Sequence, residues 1–283
     1  MQYYYYVWSI YYNATNSVHL IGIHGLRNKC FAHPYVSSFI QHVKSISSQI
    51  KFSDIGFDAA LALDDCNKYI ISRSRLNRWF ESVDSACALR NSLFPPPAVH
   101  EESLSIGIIN RTLERSTNYD MISFKELHEN RRISNIADLQ AALTSHFGVR
   151  VDVCTFDTIS FQEQAAFCNA HNVLISSHGS QLCSIPFMPD YSLLVELFHP
   201  YYYNDTYFST LSRTSGKSHY LSCCTHDPRC HNPWQDKGKK YCRSRDIVCN
   251  VDAIVDSIDT FFTFRKHNLQ IGAPHNIQFQ KIA

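Results

Sequence analysis

The sequence predicts an α/β fold, a parallel β-sheet with helices on both faces, and three observations carry that prediction. From residue 103 onward short apolar runs recur at 104–109 (LSIGII), 172–176 (NVLIS) and 192–198 (SLLVELF), each of strand length and without the alternation of a half-exposed strand. Between these runs lie segments whose apolar residues follow helical spacing. Strands joined by helices of this length need crossover connections, and crossovers make neighbouring strands parallel.

Along the chain, residues 1–100 show the weakest pattern. Residues 65–80 read as a helix, and Pro95, Pro96 and Pro97 follow. A triple proline cannot continue a helix and reads as a hinge between two lobes. Residues 104–109 form the first clear strand. Residues 134–147 have helical spacing at Ile136, Leu139, Leu143 and Phe147, with Ser134 or Asn135 as N-cap. A strand at 149–154 and a helix at 160–170, opened by Ser160, come next. Residues 172–176 are a strand, 180–187 a short helix, 192–198 a strand, 205–213 a helix and 219–222 a strand. An amphipathic helix at 251–266 closes the pattern. Open parallel sheets bind ligands at the carboxyl ends of their strands, so residues just after Ile109, Cys154, Ser176 and Phe198 are expected to line any site.

Composition narrows the function classes. Of 283 residues, 45% are hydrophobic and 18% charged, which is the balance of a globular chain. The net charge of +1 gives no overall field to recruit nucleic acid or an anionic membrane. Only 9 glycines are present, against the use of glycine-rich phosphate loops. Eleven cysteines, five of them at Cys223, Cys224, Cys230, Cys242 and Cys249, join sequons at Asn13, Asn110 and Asn204. Together they favour an oxidising, glycosylating compartment. The cluster lacks a Cys-x2-Cys knuckle, so disulfides are favoured over zinc there, and no metal is assigned. Residues 1–12 lack the basic region and cleavage site of a signal peptide, so a targeting segment is expected outside this chain.

Residues 172–200 carry most of the chemistry. An apolar strand enters Ser176-Ser177-His178-Gly179-Ser180, and a helix starts at once. Gly179 permits a tight turn, and the free N–H groups of the new helix suit an anion such as a diphosphate. His178 adds a hydrogen bond or a positive charge. Taken alone, the pair also fits a structural turn with a satisfied histidine.

Three ordered stretches resemble glycosyltransferase family 61. The first reads His178-Gly179-Ser180-Gln181-Leu182, then Phe187-Met188-Pro189, then Val195-Glu196-Leu197-Phe198, with Ser180 where the family has alanine. Within the family it is most similar to the protein O-mannose β-1,4-N-acetylglucosaminyltransferase branch. The resemblance implies that His178, Gly179, Ser180, Gln181 and Leu182 lie at the diphosphate and nucleotide, and that Glu196 faces the ribose hydroxyls. The second stretch is Arg111 after the strand at 104–109, with Arg131 as the preferred second arginine and Arg115 as the alternative. Guanidinium forks match a diphosphate and would stabilise charge on the departing nucleotide. The third, residues 151–164, places Phe156 or Asp157 near the base; a core phenylalanine is the other reading.

The resemblance implies a GT-B architecture of two Rossmann-like lobes. Residues 1–100 would be a partial or divergent acceptor-side lobe and 101–283 the nucleotide-sugar lobe, with the Cys-rich segment at 223–249. The implied activity is inverting transfer of N-acetylglucosamine or a pentose from a UDP-sugar to a glycan or glycoprotein in the secretory pathway, with no required metal. The alternative is a catalytically inactive, sugar- or nucleotide-binding relative without the acceptor-side base, for which the sequence offers no residue.

Overall fold

The computed structural model describes Tyr5, Trp8 and residues 18–23, 34–47, 50–55, 79–95, 103–111, 131–199, 206–224, 246–270 and 280–282. Within them, strand β1 (Val18–Ile23), helix α1 (Pro34–Ile46) and strand β2 (Ile50–Ile55) form a parallel βαβ unit that the sequence pattern did not reveal. Helix α2 (Val83–Leu93) follows, opened by a Ser82/Ser85 capping box. It stops because Pro95 drives the preceding Phe94 into extended backbone, φ −131° and ψ 123°. Pro96, Pro97, most of the helix expected at 65–80 and the sequons at Asn13 and Asn204 lie outside the described residues. Trp79 and Phe80 are described and are not helical.

The expected parallel sheet is present. Its strands are β3 (Ile106–Asn110), β4 (Val151–Thr155), β5 (Val173–Ser177), β6 (Leu193–Phe198), β7 (Ser218–Cys223) and β8 (Gln280–Ile282). Among the described residues they run in the order β4-β3-β5-β6-β7-β8, every pair parallel. The crossovers are α3 (Ile136–Phe147), α4 (Phe161–Ala170), a 3-10 helix (Ser180–Phe187), α5 (Phe208–Thr214) and α6 (Val251–Gln270).

Local chemistry explains most boundaries. Ser160 accepts the Glu163 amide at 3.2 Å while Glu163 accepts the Ser160 amide at 2.7 Å, a reciprocal cap that starts α4. Gly148 ends α3 at φ 65°, a left-handed conformation that glycine adopts without steric cost. Asn135 precedes α3 without capping it; its side chain pairs with both backbone groups of Cys249 at 3.0 Å. The segment at 180–187 is 3-10 rather than α because Pro186 lies inside it and donates no N–H.

Side chains alternate across the sheet. Leu174 and Leu194 join one core with α1, α2, α4 and the 3-10 helix. Val173, Ile175, Leu193 and Val195 join the other, with α3 and α6. Both faces are therefore buried, which is why these strands read as continuous apolar runs. Residues from the first hundred belong to the former core. The Tyr5 hydroxyl donates to Cys183 O at 2.7 Å, and Trp79 Nε1 donates to Tyr207 O at 3.0 Å.

One of the five clustered cysteines departs from the disulfide expectation. Cys249 is a buried free thiol within the α3/α6 core, where burial pushes it up to about 11, and Cys224 is buried in the same core. Cys230 and Cys242 lie outside the described residues. Among the described residues, no helix is long and apolar enough to cross a membrane.

Candidate functional site

The strand order locates the site before any side chain is considered. From β3 the chain crosses to β4 on one side, then returns past β3 to form β5 on the other. The reversal leaves a crevice between the carboxyl ends of β3 and β5, because their following segments lead to opposite sides of the sheet. Arg111 directly follows β3, and His178-Gly179 directly follows β5.

These residues meet. Arg111 Nη2 donates to Gln181 Oε1 at 2.6 Å, a short charge-assisted bond. Gln181 in turn donates to Ser177 O at 2.8 Å and Ser176 Oγ at 3.2 Å, folding the start of the 3-10 helix back onto β5. Gly179 lies against this contact. A Cβ built there would stand 2.2 Å from Arg111 Nη2 and 2.6 Å from Gln181 Oε1, so a side chain at this position would push the ends of Arg111 and Gln181 out of their contact. Ser180 is exposed at the rim.

Arg131 approaches from a second segment and donates through Nη1 to His178 O at 2.7 Å. It is 6% exposed and has φ 45°, uncommon for a side chain of its size. Its neighbour Arg132 turns the other way, onto Asp246 at 2.6 Å. Asn110 links the two parts by accepting the Ile133 amide at 3.0 Å. Arg115, the alternative second arginine, lies outside the described residues.

Behind His178 lies a buried polar chain. His178 Nδ1 is 2.6 Å from Glu196 Oε1, and His219 Nε2 is 2.8 Å from Glu196 Oε2. Glu196 has no exposed surface. Register explains the meeting. Glu196 pairs with Ser176 on β5 and Leu221 on β7, so the positions two residues away on either side, 178 and 219, share its face of the sheet. His178 ring is also flanked by Phe198 at 4.8 Å and Phe208 at 5.3 Å between centroids.

The expected site residues therefore divide. Arg111, Arg131, His178, Gly179, Ser180 and Gln181 gather at the strand ends. Leu182 has no exposed surface and packs in the α1/α2 core; its side chain faces away from the crevice. Glu196, expected to face a ribose, instead faces two histidines, because the inward register of β6 buries it. Phe156 is 6% exposed and packs edge-on against Phe167 at 5.7 Å, which is the core reading; Asp157 beside it is exposed. His219 went unrecognised as a site residue because its link to Glu196 depends on strand register. An open concavity of about 960 Å³ between α3 and edge strand β4, lined by Ala137, Gln140, Val151 and Val153, contains none of these residues. It is an edge groove, whereas the convergence of polar groups is at the switch between β3 and β5.

The family model for glycosyltransferase 61 matches residues 11–195, more than half of the chain. The chain belongs to glycosyltransferase family 61. The match reaches back through the first hundred residues, where no family motif was legible, and ends inside β6, one residue before Glu196. Three relatives align over 120 residues, and all are protein O-linked-mannose beta-1,4-N-acetylglucosaminyltransferase 2. The Xenopus laevis protein is 30% identical over 41% of this chain and 21% of its own length. That of Tetraodon nigroviridis is 34% identical over 38% and 20%. That of Xenopus tropicalis is 29% identical over 41% and 21%. The chain thus spans about a fifth of the length of these relatives. Membership of family 61 places it in the glycosyltransferase class.

Proposed function

We propose that the chain supplies the nucleotide-sugar lobe of an inverting, GT-B-type glycosyltransferase that takes a UDP-sugar as donor. The observation that carries this reading is the meeting of Arg111 with the His178-Gly179 turn at the switch between β3 and β5. Two guanidinium groups and the start of a helix converge where an open parallel sheet binds ligands. Such a site holds a diphosphate through side chains and oriented N–H groups, so no divalent cation is assigned to it. Arg111 and Arg131 would attract the charge that develops on the nucleotide as the sugar leaves. Residues 1–100 would belong to the acceptor side, with residues 101–283 forming the donor lobe.

The names of the aligned relatives make UDP-N-acetylglucosamine the first donor to test, with UDP-pentoses next. A glycan or glycoprotein in the secretory pathway is the proposed acceptor. Titration calorimetry with UDP tests the reading directly, and absence of binding refutes it. Arg111→Gln should weaken UDP by about 1.5–3 kcal/mol, the loss of a charge-assisted contact. UDP binding without transfer from any donor, in the presence of glycan acceptors, would favour the non-catalytic relative.

A further inference from the structure

We infer that His219 is a positioning residue that acts through Glu196 to hold His178 as its Nδ1–H form, with the ring fixed at the strand ends. An ionised carboxylate only accepts hydrogen bonds, so each ring nitrogen facing Glu196 must carry a hydrogen. At 2.6 Å and 2.8 Å the two oxygens are each matched to a different imidazole. The hydrogen on His178 is therefore at Nδ1, and that on His219 is at Nε2.

The second histidine is needed because Glu196 is wholly buried. With His178 alone, one carboxylate oxygen would lose its hydrogen-bonded partner, and the group would rotate to share what remained. With both, the carboxylate plane is held from β5 and β7 at once, and the imidazole inherits that orientation. Phe198 and Phe208 flank the same ring and restrict its swing. A histidine whose Nδ1 is committed to a carboxylate presents chemistry through Nε2, the logic by which carboxylate–histidine pairs set tautomers in metal and hydrolase sites. Resting on the proposed donor site, this makes the His178–Glu196–His219 chain the device that fixes the His178 ring beside the residues proposed to hold the nucleotide sugar.

The test uses two substitutions that differ mainly in where a donor is placed. In His219→Gln the amide nitrogen stands near the position of imidazole Nε2 and still reaches Glu196; in His219→Asn the shorter amide does not. Nitrogen-15 NMR of the full chain, with the His178 signals assigned by comparison with His178→Asn, reads the tautomer without any ligand. Nδ1 of His178 should be protonated in the wild type and in His219→Gln, and that state should be eroded in His219→Asn. UDP affinity should fall by about tenfold in His219→Asn and by no more than about threefold in His219→Gln. Unprotonated Nδ1 in the wild type overturns the inference. So does an identical His178 signal in both variants, since a merely structural role would lower thermal stability without separating Gln from Asn. If the wild type fails to bind UDP, the donor-site reading falls, while the tautomer measurement still decides the role of His219.

Discussion

Strand β6 has a carboxylate near each end, Asp190 half-buried and Glu196 wholly buried, each between two buried basic side chains, and the partners differ in kind. Ahead of its amino end, Asp190 Oδ1 lies 3.2 Å from Arg90 Nη1 and 3.4 Å from Lys217 Nζ. Near its carboxyl end, Glu196 lies between two imidazoles. Arginine and lysine are fixed charges at physiological pH, and their cluster joins α2 to the turn before β7 at the end of the sheet where no ligand is expected. The two imidazoles instead share one carboxylate, an oxygen each, and adjoin the two arginines of the proposed donor site. The same arrangement of one acid and two bases thus makes a latch at one end and a support for a single ring at the other.

The largest expected effect breaks the latch. Asp190→Ala leaves Arg90 and Lys217, 2% and 1% exposed, without their shared carboxylate. Removing one partner from a buried charge cluster costs about 3–5 kcal/mol, which urea unfolding would register. UDP affinity of the remaining folded protein should stay near that of the wild type. A loss below about 1 kcal/mol would show that the cluster is no latch. The opposite pattern is expected at the other end. Gly179→Ala pushes a methyl into the Arg111–Gln181 contact, so UDP affinity should fall by about 1–2 kcal/mol with a smaller change in unfolding free energy. Equal losses of stability and affinity would erase the distinction between the two ends.

How much of this was legible depends on whether the signal is local. Strands β3, β5 and β6 were readable because two-sided burial leaves apolar runs, and α4 because Ser160 and Glu163 form a cap within four residues. Arg111, His178 and Gly179 were readable because each follows a strand directly. The roles of Glu196, His219 and Leu182 were not. Glu196 at a strand end looks equally suited to solvent and to burial, and only the parallel registers with β5 and β7 place it between two histidines. Leu182 follows the turn motif by sequence, yet the tight 3-10 winding aims its side chain at the core. The β1–α1–β2 unit escaped because its apolar runs are broken by polar residues, as in IKFSDI.

The smallest expected effect asks whether burying the Lys217 ammonium carries a cost. Desolvation holds its pKa below the ordinary 10.5, against the opposing pull of Asp190. Across the window from that lowered value up to 10.5, the unfolded chain keeps a proton that the folded chain has released. Stability rises with pH wherever the unfolded state binds more protons, so the cost of burying the ammonium is fully present below the window and relieved as pH climbs through it. Lys217→Met removes the group. The comparison belongs in a Cys87→Ala background, because the adjacent thiol, itself raised by burial, titrates in the same range. As pH climbs through that window toward 10.5, the unfolding free energy of the Lys217 protein should gain on that of the methionine variant. A flat or falling difference would mean that Asp190 fully compensates the buried ammonium. The amino-end cluster would then hold its charges without penalty, and fixed charge would no longer be what separates it from the chain around Glu196.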